Sequence, residues 1–291
     1  MDNRAEVRDF LVSRRAKITP EQAGLPQYGG RRRVPGLRRE ELAMIVGVSP
    51  DYMARLEKGN LGSASESVLE SLAKALQLDD AERDYLMELA RTARGGSQPV
   101  RRRAQPQQLR PSLQHMLDAM VTAPAFIANG RLDLLGTNAL ARAFYSPVFA
   151  GSDKPNFATF CFEDPAAHDF YPDWERAADT TVAMLRMEAG RDPHNRALTD
   201  LVGRLATRSE AFRTRWASHN VHVHVTGSKV FRHPVVGELQ LAFNTIPLPG
   251  DPGLSMTVYT AEPNTGTDER LALLASWAAT PSPVAGPSPR D

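Results

Sequence analysis

Within the seven residues from Ser49 to Arg55 the chain places a hydroxyl, a carboxylate, a phenol and a guanidinium, with Pro50 and two apolar positions between them. Such a set can read nucleobase edges. A guanidinium matches the two acceptors of guanine, a carboxylate accepts from the cytosine amino group, and a phenol reaches a phosphate or a thymine methyl. Arg55, Asp51 and Tyr52 are the candidates for those three roles, while Ser49 and Pro50 begin the segment that carries them. Just upstream, Arg31, Arg32, Arg33, Arg38 and Arg39 fall within nine residues, with no acidic neighbour before Glu40. These side chains suit a phosphate backbone or a minor groove, and Arg39 opens a helix where a phosphate can also meet backbone amides. Lys58 and Asn60, directly after the segment, complete the candidate DNA-facing set. The bland alternative for such a charge run is solvated surface.

Side chains of this kind need a rigid carrier. Apolar spacing predicts helices over 39–46 and 50–57, joined by a tight turn at Gly47, which can take the positive φ that the turn requires. Ala43 is small where the second helix crosses closely, and Leu42, Val46, Val48, Met53 and Leu56 form the shared core. Ser49 can cap the second helix, Pro50 tolerates its first position, and Asp51 complements the helix dipole. Further helical patterns at 5–15, 65–76 and 81–91 give five helices over residues 1–94, with a Pro/Gly-rich loop from Pro20 to Gly36. An ordinary helical hairpin is the alternative reading of the pair.

Charge supports the division. Residues 1–110 hold 20 Lys and Arg against 15 Asp and Glu, whereas residues 111–291 hold 15 against 19, so a basic first part precedes an acidic remainder. One cysteine, Cys161, excludes an internal disulfide and any multi-cysteine metal site. Neither a signal peptide nor a membrane-spanning apolar run is present in the sequence, so the expected location is the cytoplasm.

Residues 95–110, polar and basic, read as a linker. Beyond it, runs at 125–129 and 132–136 predict a strand pair, followed by helices at 138–145, 172–189 and 196–216 and strands at 221–225, 239–245 and 256–260. That order is an α+β domain over 111–266, helices lying on one face of a five-stranded antiparallel sheet. A helix over 267–280 and a disordered tail over 281–291 are expected after it. Such a layered domain can hold a small apolar molecule, with Phe126, Trp174, Leu185, Trp216, His233 and Phe243 as candidate lining and Arg186 placed to pair a ligand carboxylate. Plain core packing, or a surface arginine, is the alternative for each. His219, His222, His224 and His233 raise a metal reading, but no Cys or acidic residue stands at ligand spacing, and sheet-surface or partner contacts are preferred. No catalytic residue, metal or cofactor is assigned: the sequence holds no Gly-x-Ser-x-Gly, P-loop, His-Glu-x-x-His or dinucleotide fingerprint.

The stretch Arg32-Arg33-Val34-Pro35-Gly36-Leu37-Arg38-Arg39-Glu40-Glu41-Leu42-Ala43, with Gly47-Val48-Ser49 and Leu56-Glu57-Lys58-Gly59, resembles the lambda-repressor-like Xre helix-turn-helix class and, more narrowly, the MmyB-like regulators of actinobacteria. Asp164-Pro165-Ala166-Ala167, Tyr171-Pro172-Asp173-Trp174, Arg232-His233-Pro234-Val235-Val236-Gly237-Glu238-Leu239 and Tyr259-Thr260-Ala261-Glu262-Pro263 are similar to the ligand-binding domain of that family. The resemblance implies a PAS-like second domain, double-stranded DNA as partner and a small-molecule effector, apolar or fatty-acid-like. It also implies DNA-facing roles for Arg39, Ser49, Pro50, Asp51, Tyr52 and Arg55. The chain departs from the family pattern at Asn220 and at Phe243-Asn244, where an Asp and an aromatic–Glu pair are expected, so its ligand preference can differ. Because such modules read two half-sites, a homodimer is expected. The competing classes are an adaptor or antitoxin-like protein whose helix-turn-helix binds a partner protein, and an enzyme, which no motif supports.

Overall fold

A computed structural model describes residues 3–25, 36–94, 109–150, 154–218 and 226–279. Arg31, Arg32 and Arg33, most of the linker, His219, His222, His224, Asn220, the strand expected at 221–225 and the expected disordered tail lie outside the described residues. The chain divides into two units, one drawn from Met1–Gln105 and Ala178–Val223, the other from Pro106–Ala177 and His224–Asp291. Sequence patterning alone assigns residues 178–218 to the second domain; in the structure they group with the N-terminal helices.

In the first unit α1 (Asn3–Lys17), α2 (Arg39–Val46), α3 (Pro50–Glu57), α4 (Glu66–Ala75) and α5 (Asp80–Ala93) surround one apolar core. Val7, Phe10, Leu11, Leu42, Met53, Leu56, Leu72 and Leu86 are buried there. The helix starts are chemically marked, since Ser49, Ser65 and Asp79 each accept a hydrogen bond from the amide of the third residue of the helix they cap.

The second unit opens with α6 (Pro111–Asp118), β1 (Ala125–Asn129) and β2 (Leu134–Thr137). Four short helices and a long one follow: α7 (Ala139–Phe144), α8 (Ser146–Phe149), α9 (Phe157–Glu163), α10 (Ala166–Phe170) and then α11 (Trp174–Arg191), and the division between the units falls inside α11. Next come α12 (Arg196–Arg208) and α13 (Glu210–Ala217), which pack in the first unit. The spacing at 196–216 predicts one helix, but Ser209 is extended and caps α13 by accepting from the Phe212 amide, so two form. β3 (Thr226–His233), β4 (Gly237–Pro247), β5 (Leu254–Thr260) and α14 (Gly266–Ala279) complete the chain.

The five strands form an antiparallel sheet in the order β2-β1-β5-β4-β3. The inner strand β1 is buried on both faces. Ala125 and Ile127 meet α6 through Leu113 and Leu117, while Phe126 faces an aromatic interior shared with Phe144, Tyr145, Phe170, Phe231, Phe243 and Tyr259. Buried Asn138 fixes the corner between these layers. Its Oδ1 accepts from the amides of Ala125 and Ala141, and its Nδ2 donates to the carbonyls of Met120 and Ala123.

Candidate nucleic-acid interface

Gly47 ends α2 with φ +79° and donates its N–H to the carbonyls of Ala43 and Met44. That left-handed residue reverses the chain within three positions, so α3 starts at Pro50. Ser49 Oγ accepts from the Tyr52 amide at 3.1 Å. Turn and cap together fix where the α3 side chains point.

Four of the residues singled out by sequence, Ser49, Pro50, Asp51 and Arg55, are exposed along this edge, and Tyr52 is half-buried against the core. The Arg55 guanidinium lies 5.2 Å from the centre of the Tyr52 ring, a cation–π contact between neighbours on the exposed edge. Arg38, Lys58 and Asn60 are exposed as well. Among the described residues no carboxylate forms an ion pair with the side chains of Arg38, Arg55 or Lys58, although the Arg38 backbone N–H donates to Glu41 Oε2. Arg39 differs: its Nε donates to Glu57 Oε2 at 2.7 Å, although half of the side chain stays exposed.

Glu57 is the hub beneath this surface. It is 2% exposed and takes a second bond from Arg15 Nε at 2.7 Å, while Arg15 Nη1 donates to the Leu37 carbonyl at 2.7 Å. One buried carboxylate thereby joins the end of α3 to α1 and to the start of α2. Sequence reasoning placed Glu57 within the matched motif but gave it no partner, because its partners are 42 and 18 positions away.

Beside α3 lies an open cleft of about 520 Å³ lined by Asn3, Arg4, Tyr52, Arg55, Asn60 and Ser63 among others, with no acidic residue in its wall. Arg4 was not a sequence candidate. The available signal was Gly59, which has φ +93° and whose absent Cβ would stand 2.5 Å from the Arg4 Cα, so that α1 can approach the end of α3 only at a glycine.

The ligand candidates separate into two groups. Phe126, Phe243 and His233 are buried in the second unit, and Trp174 packs against the same core, donating Nε1–H to the Cys161 carbonyl at 3.0 Å. His233 is occupied structurally. Its Nε2 lies 3.1 Å from the Ala143 carbonyl and its Nδ1 accepts from the amides of Val235 and Val236, and burial lowers its pKa. Leu185, Arg186 and Trp216 belong to the first unit. Arg186, a candidate for pairing a ligand carboxylate with a surface position as the plainer reading, is fully buried and pairs with Glu6 of α1.

Polar groups that the sequence reading passed over stand at the aromatic interior. The Tyr145 and Tyr259 hydroxyls share a hydrogen bond of 2.9 Å, and burial pushes Tyr259 up to about 12. Half-buried Lys229 lies on the inward face of β3 with Phe231, its ammonium 5.0 Å from the Phe243 ring centre. Burial first, and the nearby Arg176 second, bring Lys229 down to about 8. A lysine in alternation with Phe231 and His233 was the signal for an inward cation. Among the described residues no cluster of His, Cys, Asp and Glu could hold a metal ion, and no helix is long and apolar enough to cross a membrane.

A capped helix presented on a tight turn, backed by a basic surface and joined to a sheet domain with an aromatic interior, defines a helix-turn-helix DNA-binding regulator with a sensory domain. A family model for a helix-turn-helix domain matches residues 14–86. A second, described as the MmyB-like transcription regulator ligand binding domain, matches residues 109–274, more than half of the chain. The chain belongs to the MmyB-like helix-turn-helix transcription regulators. Neither matched family is an enzyme family. No curated protein matched the chain.

Proposed function

We propose that the chain acts as an Xre-type homodimer in the cytoplasm, reading duplex DNA with α3 and changing its DNA affinity when the sheet domain binds a small apolar molecule with an acidic head, such as a fatty acid. One observation carries the DNA part: Asp51, Tyr52 and Arg55 stand on the exposed edge of a helix whose start is fixed by the Ser49 cap. Eight residues at 1.5 Å each make α3 about 12 Å long, matching a major groove about 12 Å wide. Arg55 reads guanine, Asp51 accepts from cytosine, and Arg38, Arg39, Lys58 and Arg4 neutralise phosphates on either side. Arg31, Arg32 and Arg33 extend this contact along the backbone.

Phe126, Phe243 and Trp174 line the apolar part of the effector site. Two cations near the aromatic interior, Lys229 and Arg176, support an acidic head group on the ligand. Native mass spectrometry of the purified protein tests this directly; a co-purified acid that Lys229→Met no longer retains is the expected result.

Fluorescence anisotropy with a duplex selected from a randomised pool tests the DNA reading. Arg55→Ala is expected to cost about 1–3 kcal/mol of specific binding. Affinity should fall steeply with salt, by a logarithmic slope of about 0.9 for each phosphate contacted. A flat salt response favours the adaptor reading instead.

A further inference from the structure

Arg186 is fully buried, which is unusual for a side chain that always carries charge. Removing a guanidinium from water is costly unless an opposite charge and hydrogen bonds offset the loss. Here its Nη1 ion-pairs with Glu6, its Nη2 donates to the Trp216 carbonyl, and its plane lies 4.2 Å from the Trp216 ring centre. Glu6 receives a second bond from the Tyr85 hydroxyl at 2.7 Å. Tyr85 in turn meets Phe10 edge to face at 5.1 Å. Burial and the adjoining carboxylate hold the Tyr85 phenol well above its ordinary value, so it remains a donor.

Backbone packing seals the same joint. A Cβ on Gly190 would stand 2.5 Å from the Tyr85 ring, so α11 meets α5 at a position where no side chain fits. Thr92 Oγ1 adds a bond of 3.2 Å to the Gly190 carbonyl. Residues 180 positions apart, Glu6 and Arg186, are thereby joined inside one unit.

The joint continues to the DNA-facing surface. Glu6 lies in the first half of α1, and Arg15, near the other end of that helix, holds Glu57 at the end of α3. Glu57 also holds Arg39. Three arginine–glutamate links therefore run in series, with α1 as the rod between the first and the other two.

We propose that Arg186 is a positioning residue for DNA recognition: residues 178–218, which by sequence lie within the ligand-binding family model, are a working part of the DNA-binding unit and hold α3 in register through Glu6, α1 and Arg15. The proposal rests on the DNA-binding reading above, and its test separates the two. Any displacement of residues 178–191 is felt at Glu57. This gives the ligand-binding part of the sequence a direct hold on the recognition helix.

The test uses the full chain in four forms: wild type, Arg186→Met, Arg186→Lys and Glu6→Gln. Glu6→Gln keeps the shape and an acceptor for Tyr85 while removing the charge, and it decides the matter if Arg186→Met does not fold. All folded forms are compared at a temperature well below their unfolding transitions. Hydrogen exchange is read at the amides of Lys58 and Gly59, which close α3, against amides of α4 as internal reference. DNA binding is read as the ratio of affinities for a duplex selected by the wild type and a scrambled duplex of the same length.

Exchange at Lys58 and Gly59 should accelerate in Arg186→Met and Glu6→Gln without a matching change in α4, and the affinity ratio should fall by about two- to thirtyfold. Arg186→Lys, which retains the charge, should recover part of both. Folded variants with wild-type exchange at α3, or with acceleration shared equally by α4, overturn the proposal. If the wild type prefers no duplex, the DNA reading falls, and the exchange comparison still judges the link from Arg186 to α3.

Discussion

Replacing Glu57 by Gln tests how the recognition helix is held. Glu57 is 2% exposed and receives Arg15 and Arg39, whose side chains are 14% and 49% exposed. The Arg15 link is largely desolvated, so neutralising Glu57 leaves a mostly buried cation facing an amide whose single oxygen can replace only one of the two carboxylate oxygens that Arg15 and Arg39 now share. Breaking one side of such a pair costs about 3–5 kcal/mol. At about 3 °C for each kcal/mol in a unit of this size, the transition should drop by about 9–15 °C. The Arg39 link is half in water and contributes at most about 1 kcal/mol. Scanning calorimetry of the full chain should therefore rank Glu57→Gln above Arg15→Met, and Arg15→Met above Arg39→Ala. In the anisotropy assay Arg39→Ala should weaken all duplexes alike and lower the salt slope by about 0.9. A drop below about 3 °C for Glu57→Gln, or equal losses for Glu57→Gln and Arg39→Ala, refutes the reasoning that a desolvated carboxylate anchors α3.

Gly47 and Gly59 both have positive φ, but space is open around Gly47 and closed by Arg4 at Gly59. In urea unfolding Gly47→Ala should cost about 1–2 kcal/mol, and Gly59→Ala distinctly more, the difference measuring the close approach of α1. Tyr145→Phe leaves the Tyr259 hydroxyl without its partner and should cost about 1–3 kcal/mol, most of which the double variant Tyr145→Phe/Tyr259→Phe should recover. His233 has a folded pKa below the ordinary 6.5, so its contribution is complete above that value and is lost as pH falls through the lower folded one. Urea midpoints measured between pH 7 and pH 5 should fall less steeply in His233→Gln than in the wild type.

The recognition helix was legible because its causes are local. Gly47, Ser49 and Pro50 each act on backbone groups within four residues, and the pattern of Leu42, Val46, Met53 and Leu56 fits only two crossing helices. The antiparallel sheet was legible in β4 and β5, where apolar side chains recur at every second position, and in β1 as a short apolar run. β3 was not, since its inward positions are Lys229, Phe231 and His233, a mixture that hides the alternation. α9 and α10 escaped for the opposite reason: Phe157, Phe160, Phe162 and Phe170 crowd too many sides for a helical period to emerge. The roles of Glu57 and Arg186 were out of reach altogether. Each depends on partners brought together by tertiary packing, and a lone arginine on an apolar helix reads equally well as a ligand contact.

Because residues from both ends of a long stretch of chain close one helical unit, synthesis and folding are out of step. When α5 leaves the ribosome, Glu6 and Tyr85 still await Arg186, and the last strip of the unit follows about 130 residues later, a delay of about 6–26 s at ordinary elongation rates. During that interval the nascent chain carries an exposed flank on the very module that touches DNA. On that reading, a regulator built this way acquires its full grip on the duplex only after about half of its sensory part has been made.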